Sequence, residues 1–216
     1  MIKEMISRIV DGKDLSFDES KSVMTEIMEG NATEAQIASF ITALRVKGET
    51  VDEITGCVSV MREKATHINV GNSVVVDTCG TGGDAKSTFN ISTAAAFVVA
   101  GAGLKVAKHG NKASSGHCGS ADVLKLLGVN IDVKTKVVEE CIQKANIGFL
   151  MAPLLHGSMK YAVNPRREIG IKTIFNILGP LTNPARATRQ VIGVYDAKLT
   201  DIVAKVLKKL NTEHAF

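Results

Sequence analysis

Three consecutive valines, Val74-Val75-Val76, run directly into Asp77-Thr78-Cys79-Gly80-Thr81-Gly82-Gly83-Asp84. A short β-branched run closed by a glycine cluster reads as a buried strand ending in a tight turn. The residues that follow narrow the choice. Positions 85–121 are 37 residues without one acidic side chain, and they carry Lys86, Lys105, Lys108, Lys112, His109 and His117. A strand, a glycine turn and a helix with no carboxylate near its start suit a phosphate-bearing ligand. Glycines admit backbone N–H groups to the oxygens, the helix N-terminus adds positive potential, and lysines add full charge.

The first 65 residues have a different period. Ile2, Met5, Ile6, Ile9 and Val10 follow helical spacing. Three capping boxes then occur in turn: Ser16-x-x-Glu19, Thr33-x-x-Gln36 and Thr50-x-x-Glu53. Gly30-Asn31 and Gly48 mark helix ends, where a left-handed residue closes the last turn. Four helices are expected, near 2–11, 17–29, 34–47 and 51–64. After Asn69 strands and helices alternate. Strands are expected at 73–77, 104–108, 129–132, 147–151 and 190–195, and helices at 91–101, 120–127, 135–145, a broken helical region in 154–177, and 198–209. Short apolar strands separated by helices predict an α/β class: a small N-terminal helical domain plus a larger, mostly parallel sheet covered on both faces. Glu213-His214-Ala215-Phe216 reads as the start of a further strand that does not arrive, so the chain is expected to be a piece of a longer protein.

The net charge of +4 is unevenly spread, −4 over residues 1–70 and +8 over 71–216. The basic excess coincides with the glycine turn, so an anionic small ligand explains it as well as nucleic acid does. Aromatic content of 4% with no Trp argues against a base-stacking surface. Cys57, Cys79, Cys118 and Cys141 form no CxxC pair and no zinc spacing. Met1-Ile2-Lys3-Glu4 leads into an amphipathic pattern, so no signal peptide is expected, and the longest apolar stretch is too short to span a bilayer. Reduced thiols in a cytoplasmic protein follow.

Two known loops nearly fit the glycine turn. Residues 80–85 match the G-x-G-x-x-A form of the dinucleotide fingerprint, but the acidic residue expected about 20 positions later is absent until Asp122. Residues 80–87 approach a Walker A loop, but Ala85 replaces its second glycine and Asp84 would aim a carboxylate into a phosphate nest. A purely structural turn is the third reading. The functional reading gains from Ser87, Thr88, Asn90, Ser92 and Thr93, short polar groups over the loop end and first helical turn. The next strand ends in Lys108-His109-Gly110-Asn111, followed by Ser114-Ser115-Gly116. Carboxyl ends of parallel strands share one edge, where ligands bind. Two such loops imply a ligand with two separated anionic groups.

The ordered motifs Asp77-Thr78-Cys79-Gly80-Thr81-Gly82-Gly83-Asp84, Lys108-His109-Gly110-Asn111, Gly119-Ser120-Ala121-Asp122 and Asn176-Ile177-Leu178-Gly179-Pro180-Leu181-Thr182-Asn183-Pro184 resemble anthranilate phosphoribosyltransferase over the whole chain. The resemblance implies a helical domain at 1–68 that contributes homodimer contacts, and a phosphoribosyl-binding α/β domain at 69–216. It also implies hinge helices at 154–180 packing back on the helical domain. The implied activity is Mg2+-dependent transfer of phosphoribose from phosphoribosyl pyrophosphate (PRPP) to the anthranilate amine, in tryptophan biosynthesis. The implied PRPP site comprises Gly80, Thr81, Gly82, Gly83, Asp84, Thr88, Asn90, Ile91, Ser92, Thr93, Lys108, His109, Gly110, Asn111, Lys112, Ala113, Ser114, Ser115, Gly116 and Ser120. Ser92 would also stand near the metal. Gly80, Asn111 and Arg166 would contact anthranilate, Arg166 by a bidentate grip on the carboxylate. His109 and His156 would line the anthranilate path.

The chain departs from the pattern in two places. Ser115-Gly116 stands where the family usually has paired serines, and the family's acidic Asp-Glu pair for magnesium has no counterpart before Phe216. Weak or no activity is therefore expected of these 216 residues alone. The chemistry needs no covalent nucleophile. In the complete enzyme, Lys108→Ala or Asp84→Ala is expected to cost roughly 10²–10³ in rate. Two alternatives stand beside this reading: an enzyme like pyrimidine nucleoside phosphorylase, and a non-enzymatic nucleic-acid-binding relative, for which the scarcity of aromatic residues is unfavourable.

Overall fold

A computed structural model describes residues 1–83, 89–113 and 118–216. They form two compact units, one of Met1–Ala65, His156–Thr182 and Asp201–Leu210, the other of Thr66–Leu155, Asn183–Thr200 and Asn211–Phe216.

The helical unit opens with α1 (Ile2–Val10), α2 (Phe17–Met28), α3 (Glu34–Lys47) and α4 (Val51–Lys64). All three capping boxes form: at α2, α3 and α4 the Ser16, Thr33 and Thr50 hydroxyls accept from the backbone N–H of Glu19, Gln36 and Glu53, whose side chains accept in return. Gly30 and Gly48 take φ of 78° and 94° where α2 and α3 close. The apolar stripes of the four helices are buried: Ile2, Met5 and Ile9 on α1, Val23, Met24 and Ile27 on α2, Phe40, Ile41 and Leu44 on α3, and Ile54 and Val58 on α4. Glu53 is buried with them. Its Oε1 accepts from Leu15 N at 2.9 Å, and its Oε2 accepts from Thr50 N at 2.8 Å and Lys47 Nζ at 3.1 Å.

The sheet unit contains β1 (Val75–Asp77), α5 (Ile91–Gly101), β2 (Lys105–Gly110), α6 (Ser120–Leu126), α7 (Thr135–Ala145), β3 (Ile147–Met151) and α8 (Ala152–Leu155). The chain then gives the 3-10 turn Gly157–Met159, α9 (Lys160–Ile169) and α10 (Phe175–Leu181), which join the helical unit, where α9 lies against α2 and α3. The last elements are β4 (Arg189–Gln190), α11 (Leu199–Lys209) and β5 (His214–Ala215). The sheet has the order β3-β2-β1-β4-β5, and every pair is parallel. Strand side chains alternate between faces. Val106 packs with Ala96 and Ala100 of α5, whereas Ala107 packs with Val138 and Ile142 of α7. Helices therefore cover both faces, as the sequence pattern predicts.

Three sequence-based expectations need correction. Residues 129–132 form no strand. Asp132 N donates to the Asn130 side chain at 3.1 Å in a local turn, and Ile131 is buried beside Leu124 of α6 while its neighbours face outward. Val129-Asn130-Ile131-Asp132, preceded by Gly128, serves instead as part of the α6–α7 connection. The strand expected at 190–195 is paired as β4 only at Arg189–Gln190. Beyond it Val191 N still donates to Asp77 O and Ile192 N to Phe216 O, and then the chain turns toward the glycine loop. The strand expected to be abandoned at the C-terminal residues does form, as β5 paired with β4.

Candidate functional site

β1 is the strand at which chain order reverses. From it the chain winds to β2 and β3 on one side, and β4 and β5 lie on the other. Loops leaving the carboxyl ends of strands at such a switch point frame the usual ligand crevice of an open α/β sheet. The loop 78–83 leaves β1 there. Gly82 and Gly83 have φ of 64° and 71°, a region that residues with a Cβ rarely enter. Gly80 is needed for a different reason: a Cβ there would lie 2.9 Å from the Gly193 carbonyl oxygen. Thr81 N donates to Gly193 O at 2.8 Å, and Tyr195 N donates to Thr81 Oγ1 at 2.9 Å. The segment after β4 thus straps the glycine loop against the sheet edge.

Lys108, near the end of β2, is only 2% exposed. Its Nζ donates to Thr78 O at 3.1 Å and Thr78 Oγ1 at 3.3 Å, and lies 3.5 Å from Ser92 Oγ. Thr78 Oγ1 donates in turn to Ser92 O at 2.8 Å. Burial pulls the Lys108 ammonium below its usual range, and its proximity to Asp77 opposes that shift. One cation therefore sits under the glycine loop and against the start of α5.

The second loop meets the same place. Asn90 Nδ2 donates to Cys118 O at 2.9 Å, and Thr93 Oγ1 donates to Ser120 Oγ at 2.9 Å, joining the starts of α5 and α6. Asp122 accepts from Ala113 N at 3.0 Å and Gly119 N at 2.8 Å. These backbone bonds hold its carboxyl below the ordinary range. Asn111 Oδ1 accepts from Lys112 N at 2.8 Å.

Of the expected site residues, Gly80, Thr81, Gly82, Gly83, Asn90, Ile91, Ser92, Thr93, Lys108, His109, Gly110, Asn111, Lys112, Ala113 and Ser120 all belong to the sheet unit. Within it they occupy the first turn of α5, the end of β2 and the loops just described. Asp84, Thr88, Ser114, Ser115 and Gly116 lie outside the described residues. Ile91 and Lys112 are exposed, and the His109 side chain is buried. Arg166 and His156 belong to the helical unit. Arg166 is half-buried with its guanidinium carbon 5.0 Å from the centre of the Phe175 ring, and desolvation lowers its affinity for its proton. Burial pushes His156 down to about 4, opposed by a backbone hydrogen bond with Thr182. Burial raises the Cys79 thiol, which keeps it protonated and unsuited to nucleophilic chemistry.

Two residues carry more of this geometry than the sequence motifs suggest. Asp77 is fully buried; its Oδ1 accepts from His109 N at 3.1 Å and its Oδ2 from Asn183 Nδ2 at 2.7 Å. Burial pushes its carboxyl up to about 6 against these hydrogen bonds and Lys108. Asn183 Nδ2 also donates to Ala107 O at 2.8 Å. In sequence Asp77 precedes the glycine loop and Asn183 lies in the segment 176–184; the signal for a structural role is the carboxylate immediately before that loop.

For a metal the donor set is poor. Among the described residues no group of three or more His, Cys, Asp or Glu is placed to hold an ion. Ser92 offers one hydroxyl, and that hydroxyl faces the Lys108 ammonium. Mg2+ binds through carboxylates and substrate phosphates, so these residues do not hold it by themselves.

The family model described as "Glycosyl transferase family, a/b domain" matches residues 72–216, and the "Glycosyl transferase family, helical bundle domain" matches residues 3–65. Anthranilate phosphoribosyltransferase of Pelotomaculum thermopropionicum is 60% identical over 216 residues, covering 100% of this chain and 63% of that protein. The crystal structure of anthranilate phosphoribosyltransferase from Thermus thermophilus superposes with a TM-score of 0.91 at 39% identity, covering 96% of this chain and 63% of that one. The enzyme from Saccharomyces cerevisiae in complex with PRPP and Mg gives 0.90 at 28% identity, covering 99% and 64%. The chain thus spans a little under two thirds of the length of these relatives. It carries both parts of the fold in order, and it belongs to the glycosyl transferase family in which a helical bundle domain precedes this α/β domain.

Proposed function

We propose that the chain carries the phosphoribosyl-binding part of an anthranilate phosphoribosyltransferase. The observation that supports this most is the adjacency of the two loops: the β1 loop and the end of β2 share one sheet edge, with the Lys108 ammonium 3.1 Å from Thr78 O beneath them. A diphosphate and a 5-phosphate on one sugar are the paired anions that such an edge suits. The relatives whose names give PRPP and 4-fluoroanthranilate as bound molecules support the same assignment.

In this reading the anthranilate amine attacks the anomeric carbon of PRPP as pyrophosphate leaves. The protein holds the reactants in line and meets the departing charge with the glycine loop 80–83, the start of α5 and Lys108. Arg166, whose guanidinium carbon lies 5.0 Å from the centre of the Phe175 ring, is the proposed partner of the anthranilate carboxylate. Asn111 and Gly80 are proposed anthranilate contacts within the sheet unit. Mg2+ enters this account as a companion of the substrate phosphates, and no step depends on the protein holding it. Domains at 1–68 and 69–216, hinge helices at 154–180, a homodimer and a cytoplasmic location complete the proposal. Among the described residues no helix is long and apolar enough to cross a membrane.

Calorimetric titration tests the reading. PRPP with Mg2+ is expected to bind, and Mg2+ alone to give no heat. Absence of PRPP binding, together with retention of a DNA or RNA probe in a salt-dependent gel shift, would replace an enzyme by a nucleic-acid-binding protein. Phosphorolysis of a pyrimidine nucleoside would point to the phosphorylase branch of the family.

A further inference from the structure

The ladder between β1 and β2 is registered at Val75 with Lys105 and Val76 with Val106, and β1 then ends at Asp77. β2 continues to Gly110, paired with β3 through Met151. Where β1 turns away into the glycine loop, the backbone of β2 loses its partner on that side. A buried N–H left this way is costly. Asp77 supplies the missing acceptor with its side chain, Oδ1 taking His109 N at 3.1 Å. Asn183 supplies the missing donor, its Nδ2 reaching Ala107 O at 2.8 Å. The two side chains are joined at 2.7 Å, and Asn183 Oδ1 accepts from Ala185 N at 2.8 Å. The main-chain oxygen of Asp77 takes Val191 N at 2.9 Å. One buried pair therefore fixes where the β1 loop, the end of β2 and the strap after β4 diverge.

We infer that Asp77 and Asn183 are positioning residues for the proposed PRPP site, a clamp that sets the direction in which Lys108 to Asn111 leave the sheet relative to the glycine loop. The inference rests on the PRPP reading for its ligand but not for its geometry. The orientation of the Asn183 amide is forced, because its nitrogen donates to two acceptors and its oxygen accepts from Ala185 N. Asp77→Asn keeps an acceptor for His109 N but sets an amide nitrogen against the Asn183 nitrogen. Asn183→Asp sets two carboxylates face to face. The double variant Asp77→Asn/Asn183→Asp restores one donor–acceptor pair between them, but it loses the bond to Ala107 O and sets a carboxylate oxygen against that carbonyl.

The four chains are compared by calorimetric titration with PRPP and Mg2+ and by amide hydrogen exchange at residues 109–111. Each single variant is expected to weaken PRPP binding about tenfold or more and to accelerate exchange at His109 by a similar factor. The double variant is expected to recover part of both losses, a coupling that general destabilisation does not produce. Single variants with unaltered affinity, or a double variant no better than either single, overturn the clamp. If the parent chain binds no PRPP, the PRPP reading falls, and the exchange rates alone decide the clamp: unchanged protection at His109 overturns it. Where Asn183→Asp does not fold, Asn183→Ser, whose hydroxyl serves only one of the two acceptors, is expected to give an intermediate loss, and an unchanged Asn183→Ser chain overturns the clamp equally.

Discussion

Gly80 and Gly193 face each other, and the contact is asymmetric. A Cβ on Gly80 would meet the Gly193 oxygen at 2.9 Å, whereas one on Gly193 would find its nearest neighbour, Gly80 Cα, at 4.0 Å. Gly80→Ala is therefore expected to lower PRPP affinity at least tenfold by displacing the loop, on the order of the 1–3 kcal/mol of an overpacked site, and Gly193→Ala to leave it near the parent value. Equal losses in calorimetric titration of the two variants would contradict this role of the strap. His156 offers a pH test. Held neutral by burial with its value near 4, it takes up a proton in the unfolded chain between pH 6.5 and about 4 that the folded chain refuses. The unfolded state binds more protons in that window, so the histidine's contribution is present above it and is lost as pH falls, by on the order of 3 kcal/mol. The raised carboxyl of Asp77 tilts stability the other way between 3.8 and about 6. The informative quantity is the difference between parent and His156→Gln in urea midpoints, which is expected to shrink from pH 7 to pH 4.5. The glycines announced themselves by type, but the Asp77–Asn183 pair did not. Its members are 106 residues apart, and no local pattern reports a hydrogen bond across that separation.

The helices of the first unit show what local chemistry does and does not reveal. Each capping box is a three-residue spacing whose bonds close within one turn, so sequence and structure agree at Ser16, Thr33 and Thr50. Their energetic weights differ with burial. Thr33 caps an exposed helix end, and Thr33→Ala is expected to cost about 1 kcal/mol. Glu53 closes its box while fully buried and paired with Lys47, which the spacing alone does not disclose. Glu53→Ala removes the buried acceptor of both that ammonium and Leu15 N and is expected to cost about 3 kcal/mol or more. Denaturant unfolding of both variants checks the ranking, and similar losses would refute it. Residues 129–132 show the converse. Val129-Asn130-Ile131-Asp132 reads as a short strand, yet here only Ile131 is buried, and the Asn130 side chain closes a turn.

Across the molecule, the α/β reading follows from alternating apolar segments, and the parallel sheet with helices on both faces bears it out. The strand order was not readable. Placing β4 beside β1 depends on a return of more than 100 residues, and that placement makes β1 the switch point. The site candidates were readable as motifs because glycine, lysine and short hydroxyl residues cluster in sequence. Their convergence needed the sheet: Val75 and Val76 register with Lys105 and Val106, which brings Thr78 to Lys108. That shared carboxyl edge is the proposed seat of a sugar bearing phosphate groups. Backbone amide shift mapping during titration with PRPP and Mg2+ tests it most directly. Perturbations are expected at residues 80–83, 91–93, 109–113 and 120, the glycine loop, the start of α5, the end of β2 with its loop, and the start of α6. Saturable shifts centred anywhere else in the chain, or none at millimolar PRPP, would contradict it.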